Sequence, residues 1–247
     1  QIYAMWPQHG HMLWLICVQM ILCGANDELP PWETLETEYG PMKIREFGPV
    51  EAPLAVLIHG MKDAEFIRNE WNQVAHKLAA ASFHVIVPDF HSAPELLRPG
   101  RLTGEALREL FPTLCSRNHM IPSRYRSVIR PKAIIMGKSW GARMAAEVGA
   151  LDDIVAVGLV TPSLGDQDQV QSLLSKIQGR VIVGLVADDE VLDFTSTRDK
   201  IKAASGGRDI TWIEAPHGGH RVVMEFVSPL VDFAESAREL FVHGGEL

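Results

Sequence analysis

Five consecutive residues, Gly137-Lys138-Ser139-Trp140-Gly141, hold the residue types from which two unrelated chemistries are built. As Gly-Lys-Ser they would end a phosphate-binding loop, where backbone amides and a lysine surround phosphate oxygens. As Gly-x-Ser-x-Gly they would form a sharp strand-to-helix turn that lifts a serine hydroxyl out of a sheet. A phosphate loop needs its first glycine five residues before the second, and Lys132 stands there. The residues between, Ala133-Ile134-Ile135-Met136, are apolar and read as a strand, which leaves no loop to hold phosphate. The serine-turn reading is the one that survives. Gly137 and Gly141 leave space where side chains would clash, and Ala142, Ala145 and Ala146 let a following helix press against the sheet.

A serine hydroxyl is nearly inert at neutral pH. It needs a base within hydrogen-bond reach, and the base needs an acid to orient it. Where this turn is used, acid and base follow the serine in that order. The acid candidates are Asp188 and Asp189 in "VADDEVLD", and the base candidates are His217 and His220 in "APHGGHRVV". Without those partners the acidic run Asp188-Asp189-Glu190 would read as a solvated turn. The two histidines have no third ligand at metal-binding spacing, so a metal site is not expected.

Strands and helices must carry these residues to one place. "LAVLI" (54–58), "FHVIVPDF" (83–90, stopped by Pro88), "PKAIIMG" (131–137), "DIVAVGLV" (153–160), "RVIVGLV" (180–186) and "DITWIEA" (209–215) read as strands, most of them apolar on both faces. Helical spacing appears in "EFIRNEWNQVAHKLAAA", "WGARMAAEVGA", "DQVQSLLSKI" and "TSTRDKIKAAS", and in a last helix over 221–242 bent at Pro229. Alternation of this kind predicts a doubly wound, mostly parallel α/β sheet with helices on both faces. Upstream, "ETLETEYGPMKIREFG" predicts an antiparallel hairpin turning at Gly40-Pro41. The acid and base candidates then fall at the carboxyl ends of the last two strands, where such sheets place their sites.

The chain has 247 residues and a net charge of −8, which suits one large domain and disfavours non-specific nucleic-acid binding. "MLWLICVQMILCGA" (12–25) is shorter than the ~20 apolar residues of a membrane span. Its length and its small residues at Cys23-Gly24-Ala25 fit a secretory leader, whereas the flank before it lacks Lys and Arg. Two readings therefore stand: a cleaved or membrane-tethering leader over 1–25, with a secreted or endomembrane location expected if it is a signal, or a buried segment, with a cytoplasmic location expected. Residues 26–247 are expected to form a single domain. Beyond the leader only Cys115 remains, so no disulfide framework is available. The connection 91–130 carries seven arginines from Arg98 to Arg130. They read as a solvated basic face, with the alternative that some flank the pocket and favour acidic acyl groups.

Taken in order, "LAVLIHG", "VIVPDF", "MGKSWGARMAA", "VADDEVL" and "GGHR" resemble the α/β-hydrolase superfamily over roughly residues 35–243. The resemblance implies a serine hydrolase that cleaves an ester, with thioester or amide as alternatives, of a small-molecule acyl substrate, with no metal or organic cofactor. It selects Ser139 as nucleophile, Asp189 over Asp188 as acid, and His220 over His217 as base. It places the oxyanion-binding amides at Trp140 and Met61. His59 is then expected to be a structural residue beneath the oxyanion loop, and Lys138 to face solvent or form an ion pair. "HSAPELL" departs from the small-residue turn usual after "VPDF" in the family. About twenty residues separate Val160 from Arg180, too few for a large lid, so the resemblance is to capless members such as dienelactone-hydrolase-like proteins and small serine esterases. The competing reading is a non-catalytic binding or scaffold protein on the same fold.

Overall fold

Eight strands among the described residues form one sheet. The structure is a computed structural model that describes residues 29–61, 69–96, 103–120 and 131–242. In chain order the elements are β1 (Glu33–Thr37), β2 (Gly40–Phe47), β3 (Leu54–Ile58), α1 (Asn72–Ala80), β4 (His84–Asp89), α2 (Gly104–Cys115), β5 (Ala133–Lys138) and α3 (Trp140–Val148). Then follow β6 (Ile154–Val160), α4 (Gln167–Leu174), β7 (Arg180–Val186), α5 (Phe194–Ala204), β8 (Ile210–Ala215), α6 (Met224–Ser236) and α7 (Glu239–Val242). All of these lie in the compact unit Pro31–Leu247. The leader segment 12–25 lies outside the described residues. No described helix is long and apolar enough to cross a membrane.

The sheet order is β1-β2-β4-β3-β5-β6-β7-β8, parallel from β4 to β8, while β1, β2 and β4 pair antiparallel. Helices α1 and α6 pack together on one face, and α2, α3, α4 and α5 follow one another on the other. A sheet covered on both faces needs strands without a polar side, which is why β3, β5 and β6 are buried at every position. The winding reverses between β4 and β5, which lie on opposite sides of β3. The carboxyl ends of β3 and β5 therefore open a crevice between loops that leave in opposite directions. Ser139 stands in that crevice, one residue past β5.

Four details differ from the sequence reading. The hairpin turns at Glu38-Tyr39, with Thr37 paired to Gly40, so Gly40 opens β2 instead of sitting in the turn. Pro88 does not stop β4 but lies within it opposite Ile44, and the strand gives way at Phe90 to a short 3-10 turn. The arginine-rich connection contains α2, whose Ala106, Leu107, Leu110, Phe111 and Leu114 form one buried stripe behind a Thr103 cap. The last helical stretch is divided at Ala237-Arg238, and Pro229 lies inside α6.

Candidate active site

The turn from β5 into α3 takes a single residue, and that residue is Ser139. Its φ of 57° and ψ of −120° form a backbone conformation that L-residues avoid. Its amide donates to the Val160 carbonyl at 2.9 Å, and its carbonyl accepts from the Ser163 amide at 3.1 Å, so β6 pins the turn. The flanking glycines are required by contact. A Cβ on Gly137 would lie 2.0 Å from the Gly141 carbonyl oxygen, and one on Gly141 would lie 2.3 Å from that of His59. Both distances are backbone overlaps, so helix α3 approaches the β3 end this closely only because neither residue has a side chain.

His220 arrives from the loop after β8, with its side chain 4% exposed. Its Nε2 lies 2.7 Å from Ser139 Oγ, and its Nδ1 lies 2.8 Å from Asp189 Oδ2. The carboxylate offers an acceptor to Nδ1, so Nδ1 carries the ring proton and Nε2 is left to accept from the serine hydroxyl. Asp189 is fixed in turn, because its Oδ1 accepts from the amides of Val191 and Leu192 at 2.8 and 2.9 Å. Asp188 and His217 meet each other instead, 3.3 Å apart at the surface. The Gly219 amide, then the His217 side chain, hold Asp188 below the usual carboxylate range.

The loop after β3 lies against the same serine. A Cβ on Gly60 would sit 3.4 Å from Ser139 Cβ, which puts the Gly60-Met61 turn beside the hydroxyl. Trp140 is the first residue of α3, so its amide is one of those left without an intrahelical acceptor, at the positive end of the helix. His59, 1% exposed, ties this loop down. Its Nδ1 donates to the Gly60 carbonyl at 2.6 Å, and its Nε2 accepts from the Phe90 amide at 3.1 Å. Burial, only partly opposed by that carbonyl, pushes its pKa down to about 4. It is a neutral brace between the β3 and β4 loops.

Lys138 turns inward, and its side chain is 4% exposed. Its Nζ lies 3.0 Å from Oε1 of Glu70, which is 3% exposed. The geometry is that of an ion pair without hydrogen-bond angles, and among the described residues neither Glu70 oxygen has a hydrogen-bond partner. Nothing in the sequence marks Glu70 out, since a single acid ahead of a helix is ordinary. A cavity of about 270 Å³ opens between that segment and the one after His220, lined by Glu70, Gln73, Val74, Arg221, Val222 and Met224 among others. Of the seven arginines, Arg98, Arg101, Arg124, Arg126 and Arg130 lie outside the described residues. Arg117 pairs with Glu33 and Glu46, and Arg108 lines a separate surface recess with Arg143 and Lys176.

A mostly parallel eight-stranded sheet with a serine at the tight turn after β5, and no large cap among the described residues, is the α/β-hydrolase fold, and this chain has it. No protein-family model matches the sequence, and no curated protein matches it. Solved structures do. The thioesterase domain from the curacin biosynthetic pathway matches with a TM-score of 0.64 at 13% identity, over 83% of this chain and 99% of that one. A protein described as a CIB-like hydrolase, from Thermoplasma acidophilum, gives 0.64 at 17% identity, over 83% and 98%. A serine hydrolase involved in carbazole degradation gives 0.62 at 15% identity, over 85% and 99%. At such identities the likeness is one of fold.

Proposed function

We propose that the chain is a serine hydrolase that cleaves an ester of a small-molecule acyl substrate through an acyl-enzyme. The observation that carries the reading is the unbroken relay from Ser139 Oγ to His220 Nε2, at 2.7 Å, and from His220 Nδ1 to Asp189 Oδ2, at 2.8 Å. Ser139 Oγ attacks the carbonyl carbon while its proton passes to His220 Nε2. Asp189 holds the ring and balances the charge it gains. The amides of Trp140 and Met61 donate to the oxyanion, each such donor being worth about 3–4 kcal/mol where removal has been measured. Collapse of the tetrahedral adduct breaks the carbon–oxygen bond, and the alcohol leaves with the proton from His220. Water then attacks the acyl-enzyme by the same proton route and restores Ser139. No step calls for a metal or organic cofactor.

The cavity of about 270 Å³ lined by Val74, Arg221 and Val222 takes in none of Ser139, Asp189 and His220, so it does not set the acyl length. The scaffold reading has no observation in its favour, because a binding module gains nothing from a strained serine hydrogen-bonded to an oriented imidazole. A fluorophosphonate probe tests the proposal. It should label the chain and the Cys115→Ala variant, and fail to label Ser139→Ala or His220→Ala. Equal labelling of Ser139→Ala and the unaltered chain would overturn it. Hydrolysis of chromogenic esters of increasing acyl length then reads the acyl preference of the site.

A further inference from the structure

Asp189 is the middle of three successive acids, and all three reach the loop 217–220. Asp188 Oδ1 accepts from the Gly219 amide at 2.8 Å. Glu190 Oε2 accepts from the His220 amide at 3.0 Å. Asp189 takes the imidazole itself. The loop has particular need of such anchors, because Gly218 and Gly219 hold φ values of 135° and 64°. Glycines populate many conformations readily, so a pair of them just before His220 gives its main chain little stiffness of its own. Glu190 also closes over the loop, since a Cβ on Gly219 would fall 2.6 Å from its Oε2. A misplacement of about 1 Å in a reacting group can cost a hundredfold in rate.

We propose that Glu190 and Asp188 are positioning residues for His220, clamping the amides of residues 220 and 219 so that the imidazole stays between Asp189 and Ser139. This rests on the serine-hydrolase reading. Glu190 is exposed and the Asp188 side chain is 46% exposed, so removing either buries no unpaired charge and costs one main-chain hydrogen bond, a small loss of stability. A merely solvated acidic turn would be silent in catalysis. A clamp would be quiet in stability and audible in rate.

The test uses the full chain with Glu190→Ala, Glu190→Gln and Asp188→Ala, and Ser139→Ala as the inactive control. Glu190→Ala should lower kcat for a short chromogenic ester by about 10–100-fold, with KM within about threefold. Its Tm should stay within about 3 °C of the unaltered chain. Glu190→Gln keeps an oxygen that can accept from the His220 amide, so it should retain kcat within about threefold. Asp188→Ala should fall between the two. The downfield proton resonance of His220 Nδ1–H should broaden in Glu190→Ala and stay sharp in Glu190→Gln. That resonance is read whether or not the chain turns over ester, so it tests the clamp even if the hydrolase reading fails. The proposal is overturned by an unchanged kcat and resonance in Glu190→Ala. It is equally overturned by a Glu190→Gln as slow as Glu190→Ala, which would mean charge and not position. A Tm loss of more than about 5 °C would assign the acids to the fold instead.

Discussion

Replacing Ser139 by glycine should abolish hydrolysis and yet leave a more stable protein than replacing it by alanine. Reversing the signs of its φ of 57° and ψ of −120° gives −57° and 120°, an ordinary extended conformation. Glycine has no handedness, so it accepts the mirror image as easily as the original, whereas any Cβ there is penalised. A residue held in this way stores about 1–3 kcal/mol. Alanine keeps that strain and glycine releases it. Both variants lose the hydroxyl that bonds to His220, so that loss cancels in the comparison. Against the release stands the greater freedom of glycine in the unfolded chain, about 0.4–1 kcal/mol. The balance favours Ser139→Gly by about 0.5–2 kcal/mol, or roughly 1–8 °C in Tm for a domain of this size. Paired calorimetric melts and urea titrations measure it. At an unstrained position alanine would be the more stable of the two, so a Ser139→Ala that melts at or above Ser139→Gly would refute the reasoning.

Lys138→Met should destabilise by about 3–5 kcal/mol in urea titrations, because it leaves Glu70 buried and unpaired. A Lys138→Met, Glu70→Leu double variant should recover much of that loss, and additive losses would show that the pair does not interact. Gly141→Ala should unfold the chain or displace the β3 loop, read as insoluble protein or as lost fluorophosphonate labelling, since its Cβ would meet the His59 carbonyl. Burial alone would raise the Glu46 pKa, but His84 and Arg117 outweigh it and bring it to about 2. With the folded pKa below the unfolded one, the stabilisation is complete above the unfolded value of about 4.5 and is lost as pH falls towards 2. Glu46→Gln should therefore cost about 1–2 kcal/mol at pH 7 after discount for solvent screening, and flatten the fall in Tm between pH 5 and 2.

The strands at the centre of the sheet were legible because burial on both faces leaves an unbroken apolar run. "RVIVGLV" coincides with β7, and β5 and β6 begin or end within two residues of expectation. The turn at Ser139 was legible because close backbone contact demands glycine at 137 and 141, a rule written in residue types. Helix α2 was not read, although its stripe of Ala106, Leu107, Leu110, Phe111 and Leu114 was present, because Arg108, Glu109 and Pro112 interrupt it and draw attention to charge. The contacts of Asp188 and Glu190 could not be read from the sequence. Both bind main-chain amides, which every residue has, so no residue type announces the partner. The same holds for His59, whose two ring-nitrogen hydrogen bonds both go to backbone.

Those two contacts make the His59 ring a natural gauge of the junction it spans. Donation from Nδ1 and acceptance at Nε2 admit one tautomer only, and a pKa near 4 keeps that tautomer from titrating across the range in which the protein would be assayed. The pair of nitrogen chemical shifts from this one side chain therefore reports whether the segments after β3 and β4 are docked. It does so independently of proton movements at His220, and it could be followed while a substrate analogue is titrated in.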